Sequence, residues 1–78
     1  MAQYILFPST YKGLGEEAKR LIDDYNDKKI GESEMIETVK AWSRNCDFML
    51  DEDGSVAAGL VTHIGIRRSR IIQSALKS

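Results

Sequence analysis

The sequence predicts an all-α fold: a small four-helix orthogonal bundle with an extended apolar N-terminal arm and a helix-turn-helix-like pair of C-terminal helices. Three observations carry this expectation. Apolar residues recur at a helical period in successive segments. Polar and glycine-bearing stretches, Asp27–Gly31, Asp51–Gly54 and Gly65, fall between those segments. Only one short run, Tyr4–Phe7, has strand character, and no second run offers it a partner.

Residues 1–12 are expected as an arm and 13–78 as a single helical domain. Within the arm, Tyr4, Ile5, Leu6 and Phe7 form an apolar run ended by Pro8 and Ser9-Thr10. It is expected to lie over the helices, or alternatively to pair with the edge of a partner's sheet. The first helix is expected from about Leu14 to Asn26. Ala18, Leu21, Ile22 and Tyr25 share one face, Glu16 and Glu17 sit near its start, and Lys28 and Lys29 follow its end. The second runs from about Glu32 to Asn45. With Gly31 at the N-cap, Glu34 is placed to reach back to the cap amide, and Ile30 with Met35 has the spacing of a hydrophobic staple. Met35, Ile36, Val39 and Trp42 form its apolar stripe, and the short link makes the two helices an antiparallel hairpin.

Phe48, Met49 and Leu50 then return to the core before the polar turn Asp51-Glu52-Asp53-Gly54. Ser55 is the expected N-cap of a short third helix through about His63. Gly65 breaks the pattern, and a fourth helix follows from about Ile66 to Leu76 with Ile71, Ile72, Ala75 and Leu76 inward. The expected core is Leu21, Ile22, Tyr25, Val39, Trp42, Phe48, Leu60, Ile71 and Leu76.

Seventy-eight residues make one domain near the lower limit for a chain stabilised by its own core, so a protein partner or self-association is expected to contribute. No apolar run approaches the roughly 20 residues of a membrane span. Met1–Leu14 lacks the features of a signal peptide. A lone cysteine, Cys46, suits a reducing compartment. A cytoplasmic location without membrane association is expected. The net charge of -1 hides a segregation: all twelve acidic residues lie between Glu16 and Asp53, whereas the last 24 residues carry Arg67, Arg68, Arg70 and Lys77 and no acid.

Catalytic chemistry finds little support. An EF-hand frame that puts Gly54 at its sixth position places Met49 and Leu60 where oxygen ligands belong. Cys46 and His63 are each the only residue of their kind, too few for a zinc site and without a local nucleophile motif. Gly13-Leu14-Gly15 lacks the third glycine of a dinucleotide fingerprint. No enzyme activity, no cofactor and no metal is expected.

The segment Leu60–Ile71 has the form of a helix-turn-helix, with Gly65 at the turn and Arg67, Arg68, Ser69 and Arg70 opening the second helix. Arg67, Arg70, Ser74 and Lys77 line one outward stripe, a footprint suited to phosphate. Three residues depart from the motif: Val61 stands where a small residue is usual, Ser74 where an apolar one is, and Gly59 weakens the first helix.

From Tyr11 onward the chain resembles a family of short uncharacterised helical proteins found mainly in Firmicutes. The resemblance rests on Ile22-Asp23-Asp24-Tyr25, on Ile30-Gly31-Glu32-Ser33-Glu34-Met35, on Phe48 to Gly54, and on Gly65-Ile66-Arg67-Arg68. The N-terminal arm is additional to that pattern, and Gly31 replaces a more usual serine. The resemblance implies neighbourhoods of mobile elements or phage defence and transfers no functional residue.

The expected function is that of a non-catalytic accessory or adaptor protein. It binds a larger protein of a nucleic-acid-handling or defence system through Arg67, Arg68, Arg70 and Lys77 and through the arm residues Tyr4, Ile5, Leu6 and Phe7. The alternatives are a small DNA-binding regulator that uses the basic helix as a homodimer, and an inhibitor whose Asp23, Asp24, Asp27, Glu34 and Glu37 imitate phosphates.

Overall fold

The structure, a computed structural model, describes residues 4–5 and 7–78, so the expectation for Leu6 lies outside the described residues. Four α-helices make up the body: α1 (Tyr11–Asn26), α2 (Glu32–Asn45), α3 (Ala58–Ile64) and α4 (Ile66–Leu76). A single 3-10 turn, Asp47–Met49, follows α2. There is no strand among the described residues; Leu50 and Val56 form one isolated antiparallel bridge. The fold is all-α.

The helix α1 begins three residues earlier than its apolar periodicity suggests. Thr10, in extended conformation, accepts a hydrogen bond from Gly13 N at 3.0 Å through its hydroxyl. A threonine oxygen that satisfies a free first-turn amide is an N-cap, so Ser9-Thr10 starts α1 as well as ending the arm. Glu16 and Glu17 consequently stand beyond the first turn, and Glu17 is used elsewhere. The helix ends through backbone bonds from Asp27 N to Asp23 O and from Lys29 N to Asp24 O.

The helix α2 has the limits its sequence predicts, with Gly31 at the N-cap. Its first turn closes without a side-chain cap bond, so the reach of Glu34 back to the cap amide is not made. Met35 is buried, and Ile30 is partly buried against the core. Beyond Met49 the chain turns at Asp51–Ser55, where Asp51 N donates to Ser55 O at 2.8 Å and Gly54 takes φ +84°. Ser55 therefore does not cap α3: its N–H donates to the Asp53 carboxylate at 3.0 Å within the turn. Val56 is buried against Leu50, and Val56 N donates to Gln73 Oε1 on α4 at 3.0 Å. These bonds hold the chain extended until Ala57, the N-cap of a seven-residue α3.

A single residue, Gly65, separates α3 from α4. Its backbone (φ 88°, ψ 162°) lies in a region that side chains bearing a Cβ rarely enter, which is what turns the chain sharply. The break is shorter than the three or four residues that usually join a DNA-reading helix pair.

Packing does not follow chain order. Helix α1 lies chiefly on α3, and α2 on α4, while the direct α1–α2 contact is small. Two glycines permit the α1–α3 approach. A Cβ on Gly15 would sit 2.7 Å from the Cβ of His63, and one on Gly59 would sit 3.0 Å from the Tyr11 ring. Gly59 thus trades helix propensity for a close contact. Leu14, Leu21, Ile22, Val39, Trp42, Met49, Leu60 and Ile72 are fully buried; Tyr25, Phe48, Ile71 and Leu76, expected inside, pack at the margin. No helix of the described residues is long and apolar enough to cross a membrane.

Candidate functional site

The small α1–α2 contact is explained by what lies between the two helices. Pro8 stands beside Gly13, Ile5 beside Glu17, and Tyr4 beside Asp24, so the arm runs back along α1 toward its C-terminal end. On α2 the same residues meet Cys46 and then Trp42, earlier in the chain. The arm therefore lies in the groove of an antiparallel α1–α2 pair and fills part of the space between them.

Tyr4 is the anchor of this segment. It is buried, its hydroxyl donates to Asp24 Oδ2 at 2.6 Å, and the Arg20 guanidinium lies 4.8 Å above its ring. Burial first, and the bond to Asp24 second, push the Tyr4 hydroxyl up to about 12. The backbone of Ile5 is held at both ends: its N–H donates to Glu17 Oε1 at 2.8 Å, and its carbonyl accepts from Trp42 Nε1 at 2.7 Å. Glu17 also pairs with Arg20 at 2.9 Å. The Cys46 thiol lies beneath Pro8 and donates to its carbonyl at 3.6 Å. Burial, and then the neighbouring Asp47, push that thiol up, so its reactive thiolate is disfavoured. While Tyr4 points inward, the side chains of Ile5 and Phe7 are 60% and 75% exposed.

The basic end divides into two kinds of residue. Arg67, Arg70, Ser74 and Lys77 are exposed and share one face of α4. Arg68 is engaged: its guanidinium grips Asp23 of α1 through Nε and Nη2 at 3.0–3.1 Å and donates to the Ile64 carbonyl at 3.1 Å. One side chain thus ties α4 to α1 and satisfies a terminal carbonyl of α3. The far end of α4 is fastened to α2 by a bond from Lys40 Nζ to the Ser78 carbonyl.

The acidic set is also split by the fold. Asp23 pairs with Arg68 and Asp24 accepts from Tyr4, while Asp27 and Glu37 are exposed. In the acidic turn, hydrogen bonds from Ser55 hold the Asp53 carboxyl below the usual carboxylate range. No group of three His, Cys, Asp or Glu residues among the described ones is placed to hold a metal ion. His63 stands exposed in the last turn of α3 against Gly15, and Cys46 is buried under the arm. An open hollow where α1, α2 and α4 meet is lined by Tyr25, Glu32, Met35, Ile36, Ile71 and Ser74.

The fold is that of a small all-α protein in which Tyr4, Glu17, Asp24 and Trp42 hold the arm and Arg68 joins α4 to α1. The chain belongs to a family described as conserved hypothetical protein, which matches it over residues 5–77. That match begins inside the arm, so the arm from Ile5 onward is part of the family pattern rather than an addition to it. No curated protein and no solved structure matches the chain.

Sequence reasoning singled out the arm and the basic helix but missed the internal engagements of Tyr4 and Arg68. Their partners lie 20 and 45 residues away, and no local pattern marks them. Trp42 and Glu17, read as a core residue and a helix-start charge, also bond the backbone of the arm. The only signal for them was an indole N–H and a carboxylate near an otherwise unpaired extended segment.

Proposed function

We propose that the protein is a non-catalytic accessory or adaptor protein that docks on a larger protein through the outward face of its arm. The observation that carries this reading is the pair Ile5 and Phe7. Large apolar side chains two residues apart are held toward solvent by an anchored backbone. Scattered exposed apolar residues are ordinary. Here, however, Tyr4 and its own two backbone bonds hold Ile5, and Phe7 precedes Pro8, whose carbonyl accepts from Cys46. The segment that carries the pair is thus tied down on either side, which lowers the ordering cost of binding. The neighbourhoods of mobile elements or phage defence that the sequence resemblance implies favour a partner that handles nucleic acid.

The test is affinity capture from cells of the source organism, comparing wild type with an Ile5→Ser/Phe7→Ser variant of unchanged helicity. A stoichiometric partner retained by wild type and lost by the variant supports docking through the arm. A partner retained by both removes it.

A second reading is favoured by the exposed stripe Arg67, Arg70 and Lys77 on a helix without acids: contact with nucleic-acid phosphates. It predicts salt-sensitive binding to random duplex DNA that falls in an Arg67→Ala/Arg70→Ala variant. Arg68 is left in place, because its removal would strip Asp23 of its partner. Absence of binding at low salt sinks this reading.

A further inference from the structure

The arm touches the helices in an unusual way. Its hydrogen bonds to the groove run to the side chains of Glu17, Asp24, Trp42 and Cys46, and none of those described joins it to helix backbone. A tyrosine sits buried under a guanidinium with its hydroxyl on a carboxylate, and the next residue is bonded through both its N–H and its carbonyl. That is how a receptor holds an extended peptide: a deep anchor side chain for specificity and backbone bonds for affinity.

We propose that the α1–α2 groove is a binding site for an extended peptide anchored by a tyrosine, filled here by the chain's own arm, and that the arm of a second copy enters it in exchange. The occupant follows from what is already seated. Every copy carries the fitting segment, and reciprocal exchange repeats the same bonds without requiring a new surface. The hinge is at Ser9–Thr10, both exposed, preceded by Pro8, which restricts Phe7 to extended conformations. Within one chain the tether gives the resident arm a high effective concentration, so it competes strongly with any arm from outside. The site is independent of the outward-facing Ile5 and Phe7, so peptide binding is read separately from partner capture.

A labelled synthetic peptide of residues 2–9 is titrated into the full-length protein and followed by fluorescence anisotropy. Binding to wild type is weak, because the groove is open only for the fraction of time that the resident arm is away. Binding to Tyr4→Ala protein is tighter by about tenfold or more, because the resident arm loses its anchor while every groove residue is retained. Tyr4→Phe, which keeps the ring, shows a smaller gain in the same direction and serves if Tyr4→Ala fails to fold. A peptide with its tyrosine changed to alanine loses binding. Absence of binding to all three proteins, or equal binding to all three, overturns the site. Sedimentation tests the second copy: wild type forms a dimer that grows with concentration and is lost in the Tyr4 variants. A protein monomeric throughout, or a dimer that survives those variants, overturns the exchange.

Discussion

Tyr4 and Arg68 show how single side chains take roles that their sequence neighbours do not announce. For Tyr4 the consequence is a pH dependence with a defined sign. Burial and the bond to Asp24 push the folded hydroxyl up to about 12, from an ordinary value of 10.0. The unfolded chain therefore loses this proton first. The contribution of the neutral phenol is complete below about pH 10 and is lost as the pH climbs toward 12. A difference titration of tyrosinate absorbance, wild type minus Tyr4→Phe, should place this transition near 12; a transition at 10 would contradict the buried anchor. Arg68 invites a double-mutant cycle with Asp23. Their side chains remain 35% and 52% exposed, so a coupling energy below about 1 kcal/mol is expected despite the forked geometry. Arg68→Ala alone should cost more than Asp23→Ala, because it also frees the Ile64 carbonyl. Neither partnership was legible in the sequence, since each joins residues brought together only by helix packing. The burial of Trp42, Leu21 and Leu60 was legible, because each lies on the apolar face of its own segment.

Among the elements, α2 and α4 have the limits their sequences predict, and the glycines at their starts explain why. Gly31 and Gly65 interrupt apolar periodicity, which is a local signal. The starts of α1 and α3 were misread for opposite reasons. Thr10 follows a proline-bearing stretch that reads as a stop, yet its hydroxyl caps α1. Ser55 precedes an apolar run and reads as a cap, yet Val56 is drawn into a bridge with Leu50 and a bond to Gln73, so the helix waits until Ala58. Thr10→Ala should destabilise the protein by about 1 kcal/mol in chemical denaturation, as loss of a cap does; no change would argue against the early start of α1. Gly65→Ala should cost about 1–3 kcal/mol. Nothing lies within 4 Å of the added Cβ, so the cost would come from the backbone alone.

For the molecule as a whole, the radius of gyration of 11.0 Å is that of one close-packed chain of this length, for which about 11.5 Å is typical. The arm is part of that body. It separates α1 from α2, buries one side chain and presents two others, and the family match includes it from Ile5. The all-α class was legible because periodicity is local. The wedge between two helices was not, because it depends on side-chain bonds spanning 12 to 38 residues. In the proposed function, Ile5 and Phe7 form the docking face of an accessory protein. The most direct measurement places a photo-crosslinking side chain at Phe7 and, as a control, at the exposed Glu16 of α1, in the full-length protein inside its own cells. A discrete adduct with one larger protein from position 7 and none from position 16 is the predicted result. The same adducts from both positions, or none from position 7, would contradict it.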